Sequence, residues 1–124
     1  METLIIQSTE DTPRITFDAT NNTLELSGKS FPDNVYLFYE PVLAWLNNYA
    51  AKPKPMTRFI FKLDYFNTAS AKIIFDILSI LDGIRAKGNK VLILWNYKDD
   101  DEDMKEAGEG YKKIIESDIE LISY

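Results

Sequence analysis

The chain contains no cysteine and no histidine, and each absence removes a block of chemistry. Without cysteine there are no disulfides, thiolate nucleophiles or thiolate metal sites. Without histidine the commonest acid-base group and metal ligand is gone. Positive charge is also scarce: 14 Lys plus Arg stand against 20 Asp plus Glu, a formal net charge of -6. A surface of that sign repels phosphate backbones and anionic bilayers at long range, so neither nucleic acid nor a membrane is expected as a partner. No apolar stretch approaches the roughly 20 residues needed to cross a bilayer. Met1–Glu10 has no basic region leading into an apolar run, so a cytoplasmic location is expected. Asn21-Asn22-Thr23 matches a glycosylation acceptor, but without a secretory signal it reads as turn chemistry. The five glycines, at 28, 83, 88, 108 and 110, form neither nucleotide-binding fingerprint.

What is present is enough for one core. The chain has 124 residues, 45% hydrophobic and 13% aromatic, which predicts a single domain over residues 1–124. Ile15 and Phe17 alternate with polar residues in Arg14–Asp18, as do Leu24 and Leu26 in Thr23–Ser27, around the turn-forming Ala19-Thr20-Asn21-Asn22. That pattern predicts an antiparallel hairpin. Ser30–Asn34 supplies turn and capping residues, after which Phe38, Val42, Trp45, Leu46 and Tyr49 recur at helical spacing, with a kink or restart expected near Pro41. Thr57–Leu63 reads as a strand with Phe59, Phe61 and Leu63 on one face and Arg58 and Lys62 on the other. The strongest helix follows, carrying Ile73, Ile74, Ile77, Leu78, Leu81 and Ile84 as a broad apolar stripe that ends at Gly88. Val91–Trp95 is a continuous apolar run, expected for a central strand covered on both faces. Asp99–Asp103 opens a third helix, with Met104, Tyr111, Ile114 and Ile115 expected to face inward, and Ile119–Ile122 forms a last short strand. The order predicts an α/β fold: a mixed, mostly parallel sheet with an N-terminal antiparallel hairpin and three helices joined by right-handed crossovers.

Most candidate sites fail on spacing. Asp99, Asp101 and Asp103 alternate as in a calcium loop, but counting from Asp99 the sharp-turn glycine is Met104 and the bidentate glutamate is Gly110. Ser70 and Lys72 are two residues apart, a separation at which helix side chains do not face each other. Carboxylate pairs such as Asp64 with Asp99 are expected by coincidence in so acidic a chain. Trp45 reads as core; Tyr97 is placed beyond the buried strand in an acidic loop, where a contact role is favoured. No enzyme, metal or cofactor is expected.

One segment remains. Leu63–Lys72 leaves a buried strand and enters a helix through Asn67, Thr68 and Ser70, and either Asn67 or Thr68 serves as its cap. A phosphoryl group here adds about -1.5 to -2 charge beside free backbone N–H groups and the positive helix end, so the local fold tolerates it. A partner docked on the uncharged hydroxyl would instead bury an unpaired dianion, at a cost of several kcal/mol. Consecutive parallel strands also bring Ser30–Asn34, Tyr65–Thr68 and Trp95–Asp99 to one rim of the sheet, where partners of open sheets bind.

Thr12-Pro13-Arg14-Ile15, Gly28-Lys29-Ser30-Phe31-Pro32-Asp33-Asn34, Tyr65-Phe66-Asn67-Thr68-Ala69-Ser70-Ala71-Lys72, Trp95-Asn96-Tyr97 and Gly108-Glu109-Gly110-Tyr111 together resemble the SiaC-like biofilm-regulation phosphoproteins, over nearly the full length. These are small single-domain proteins of bacterial partner-switching systems, with a fold similar to that of the anti-sigma-factor antagonist (STAS) proteins. The resemblance implies a STAS-like domain in which a dedicated kinase phosphorylates Thr68 and a PP2C-type phosphatase reverses it. It also implies that the unphosphorylated form binds and activates a diguanylate cyclase. Ala69 stands where the family's run has a serine, which leaves Ser70 as the alternative acceptor. Ser30, Pro32, Asp33, Asn34, Tyr65, Asn67, Ser70, Lys72 and Tyr97 are the candidate partner-binding residues. Two other functions compete: a small-ligand sensor using the rim near Trp95 and Tyr97, and a divalent-metal hydrolase built on Asp99, Asp101 and Asp103.

Overall fold

Alternating side chains build the first half of the sheet in the computed structural model, which describes residues 1–124. Strand β1 (Leu4–Ile6) pairs antiparallel with β2 (Arg14–Asp18), and β2 pairs antiparallel with β3 (Thr23–Ser30). Ile15 lies opposite Leu26 and Phe17 opposite Leu24, so the four form one buried face. The Asp18 carboxylate accepts from the Asn21 amide N–H at 3.2 Å and side-chain NH₂ at 2.7 Å, and Asn22 takes the left-handed conformation at φ 52°. Asparagine tolerates that region better than most residues, which fixes the hairpin. The expected hairpin is thus a three-stranded meander. β1 escaped the pattern because three residues are too few to establish a period.

From β3 onward the sheet is parallel. β4 (Met56–Phe66), β5 (Lys90–Tyr97) and β6 (Asp118–Ser123) follow in order, giving a six-stranded sheet ordered β1-β2-β3-β4-β5-β6. Helices α1 (Val35–Ala51), α2 (Thr68–Ala86) and α3 (Glu102–Ile114) each cross over between adjacent parallel strands. Because every crossover has the same sense, all three helices cover one face. The other face is open, which corrects the expectation that β5 is covered on both sides. Val91, Ile93 and Trp95 face the helices, whereas Leu94 alternates to the open side, where its register neighbours are Ile60 on β4 and Glu120 on β6.

Two further expectations change. α1 runs unbroken through Pro41, which lies on the exposed side where the Leu37 carbonyl it frees meets water. Ile114, expected inside, is 62% exposed, because α3 ends there and Ile115 takes the buried seat. The core is one cluster of 25 buried residues between the sheet and the three helices.

A register break near the end of β4 decides the geometry of the rim. Gly28 on β3 is opposite Leu63, but Lys29 is opposite Tyr65, so Asp64 is the extra residue of a β-bulge. Gly28 takes φ 98°, a backbone conformation natural to glycine. The bulge shifts the phase of the strand: Phe59, Phe61 and Leu63 point inward, and then Phe66, not Tyr65, turns inward against Trp95. Tyr65 is left pointing outward, 51% exposed.

Candidate functional site

The C-terminal ends of β3, β4 and β5 and the N-terminal ends of the three helices form one rim. At its centre the chain passes from Phe66 into α2. Asn67 is the cap: its Oδ1 accepts from the Ser70 N–H at 2.9 Å, and its own N–H donates to the Ser30 carbonyl at 3.1 Å. Thr68 is the first helical residue and exposed, so it does not cap. Its hydroxyl holds nothing in place and its backbone N–H sits at the positive helix end.

Ser70 lies two residues further on and is 0% exposed. Ser30 Oγ donates to Ser70 Oγ at 2.8 Å, which leaves the Tyr39 hydroxyl to donate to Ser30 at 2.6 Å. This buried chain of hydroxyls ties β3, α1 and α2 together. Burial pushes the Tyr39 phenol up to about 12, against a weaker opposite effect of the Ser30 hydrogen bond. Ser30 and Ser70, expected on a docking rim, are therefore internal linkages without a surface to offer. Ser70 is also shielded as an acceptor, which leaves Thr68 as the accessible hydroxyl of the pair.

The remaining predicted residues divide in the same way. Asn34 caps α1, its Oδ1 accepting from the Leu37 N–H at 3.1 Å, and Pro32 is buried beneath it, while Asp33 is exposed. Tyr65 stands edge-on to Phe31, ring centroids 5.7 Å apart, and both are open to solvent. Lys72 is one turn after Thr68 on the same face of α2 and pairs with Asp76 at 3.6 Å. Tyr97 is the last residue of β5, half-buried against the core, and not part of an acidic loop.

Trp95 is 1% exposed, wedged among Phe61, Phe66 and Tyr111, with its Nε1 donating to the Met104 carbonyl at 2.9 Å. It cannot line a ligand site. The groove of about 430 Å³ at this end is instead lined by Asp64, Tyr65, Phe66, Asp101, Asp103, Met104 and Ala107. Asp101 is the cap of α3, accepting from the Met104 N–H at 3.0 Å. Asp99, Asp101 and Asp103 do not gather into a group able to hold a metal ion. Asp64, the bulge residue, pairs with Lys98 at 3.3 Å, and that carboxylate holds the Lys98 ammonium above its usual range.

Sequence reasoning passed over Tyr36 and Leu37, 62% and 69% exposed in the first turn of α1 at the same rim. Their signal was available: both fall out of phase with the buried stripe of Val35, Tyr39, Val42, Leu46 and Tyr49. With Phe31 and Tyr65 they leave aromatic and aliphatic surface uncovered at the rim where α1 and α2 begin.

Comparison with known proteins gives the same fold and a family. A Pseudomonas aeruginosa (strain UCBPP-PA14) protein is 30% identical over 113 residues, covering 91% of this chain and 90% of that protein. The crystal structure of apo-SiaC from Pseudomonas aeruginosa superposes with a TM-score of 0.90 at 28% identity, over 98% of this chain and 99% of that one. SiaC in its complex with the diguanylate cyclase SiaD, of which it is the activator, superposes with a TM-score of 0.92 at 27% identity, again over 98% and 99%. The family model described as SiaC family regulatory phosphoprotein matches residues 6–124, and the chain belongs to that family.

Proposed function

We propose that this protein is a non-enzymatic partner switch in which Thr68 is the phosphorylated residue, and that its unphosphorylated form docks on and activates a diguanylate cyclase. A protein kinase adds the phosphate and a PP2C-type phosphatase removes it, in the cytoplasm. The observation that carries the reading is the contrast between two hydroxyls two residues apart: Thr68 is exposed and structurally idle, whereas Ser70 is buried and bonded. The exposed Phe31, Tyr36, Leu37 and Tyr65 supply the surface a partner would cover. A dianion placed among them is compatible with the free protein, because water and the helix end solvate it. It is incompatible with a covered patch, where a dianion would lose its water without being fully neutralised.

The test uses the cognate kinase with ATP, followed by mass mapping and partner pull-down. One phosphate on Thr68, lost in Thr68→Ala, together with partner capture by wild type and Thr68→Ala but not by the phosphorylated protein, is the expected result. Phosphate mapping to another residue, or equal capture of both forms, overturns the reading.

A further inference from the structure

Lys72 holds Asp76 in an ion pair that runs against the preferences of a helix. The pair is long, 3.6 Å, and its side chains are 64% and 38% exposed. Exposed pairs of this kind contribute little. The base also precedes the acid by four residues, the less favourable order, since helix side chains lean toward the N-terminus and the field of the helix favours acid before base. Thr68 occupies the position four residues before Lys72, toward which a lysine side chain naturally leans. A phosphate there would carry about twice the charge of the Asp76 carboxylate and stand in the favourable order.

We infer that Lys72 is the intramolecular counter-ion of the phosphorylated state, exchanging Asp76 for the phosphate on residue 68. This rests on Thr68 being the acceptor. The exchange has a consequence for the surface: the phosphate is partly compensated, while Asp76 loses its cation. The change in charge therefore reaches from Thr68 to Asp76, about 12 Å along the exposed side of α2, and includes the exposed Phe75 beside it. The other charged groups of this rim are Lys29, Asp33, Asp64, Lys98, Asp99, Asp100, Asp101, Glu102, Asp103 and Lys105; Lys98 is already engaged by Asp64, and Lys29 and Lys105 stand on other elements, β3 and α3. Lys72 is the cation on the phosphate's own helix face.

The experiment needs neither kinase nor partner. Phosphothreonine is installed at position 68 during synthesis in the full chain, and the phosphate is titrated by phosphorus NMR in wild type, Lys72→Ala, Lys72→Arg and Lys87→Ala, the last at the far end of α2. Lys72→Ala is expected to raise the phosphate's proton affinity about twofold at low salt. Lys72→Arg should stay near wild type, and Lys87→Ala should leave the titration unchanged. Coincident curves for wild type and Lys72→Ala, or an equal effect of Lys87→Ala, overturn the inference. Failure of the partner-switch reading shows separately, in the mapping and capture experiments on kinase-treated protein.

Discussion

At Asn67 and Thr68, neighbouring polar residues do opposite work. Asn67 satisfies the Ser70 N–H and anchors to Ser30, whereas the Thr68 hydroxyl makes no bond. Asn67→Ala is therefore expected to cost about 1 kcal/mol in urea unfolding, and Thr68→Ala to change stability by less than about 0.5 kcal/mol. Equal losses would mean that the threonine, too, holds the helix start. Tyr39 supplies a pH signature. Its phenol keeps its proton up to about 12 in the folded protein, above the ordinary value of 10.0. The stabilisation this represents is complete below pH 10 and is lost as pH rises from 10 towards 12, where the unfolded chain ionises first. Tyr111, also pushed up to about 12 by burial, acts in the same direction. Unfolding free energy measured from pH 10 towards 12 should thus fall with pH, by up to about 1.4 kcal/mol per unit for the buried Tyr39 and by less for the more exposed Tyr111. Tyr39→Phe should make that decline shallower.

α3 is the element least like its neighbours. Only Met104 and Gly108 in it are buried, and it approaches the sheet closely because Gly108 has no side chain. A methyl group there would lie 2.5 Å from Trp95 Cδ1 and 2.6 Å from Leu121 Cδ2. The indole cannot yield, since its Nε1 is bonded to the Met104 carbonyl and its ring is enclosed by Phe61, Phe66 and Tyr111. Gly108→Ala gains about 1 kcal/mol of helix propensity and loses about 1–3 kcal/mol to overpacking, so net destabilisation is expected. Gly110→Ala meets nothing within 4 Å and keeps only the gain, so it should raise stability by about 0.5–1 kcal/mol. Thermal or urea melts of the two variants should move in opposite directions. α3 is also tied to the switch helix, because the Tyr111 hydroxyl donates to the Ala71 carbonyl at 2.9 Å, one turn after Asn67.

Across the whole molecule, a sheet covered on one face leaves two surfaces of different character: the open side of the strands and the rim where strands end and helices begin. If the rim is the docking surface, Tyr65→Ala should weaken partner binding at least tenfold while leaving the melting temperature within a few degrees of wild type, since the side chain is half exposed and caps no core. Calorimetric titration beside a thermal melt checks both. The sequence by itself determined the class of fold, the parallel order from β3 to β6, the helices and the core stripes, because periods of 2 and 3.6 residues are written directly in the spacing of apolar side chains. It also made Thr68 a candidate, through chemistry local to a helix start and a family resemblance. Only the tertiary structure decided which side chains reach the surface. The bulge at Asp64 reverses the strand's phase and turns Tyr65 outward, which no period within β4 announces because it depends on the register against β3. The buried hydroxyl chain joins Ser30 to Tyr39, 9 positions away, and to Ser70, 40 positions away, so it forms only when β3, α1 and α2 come together. Local pattern fixes what a segment becomes, whereas exposure is settled by neighbours distant in sequence, and the distinction between a structural and an available hydroxyl is one of exposure.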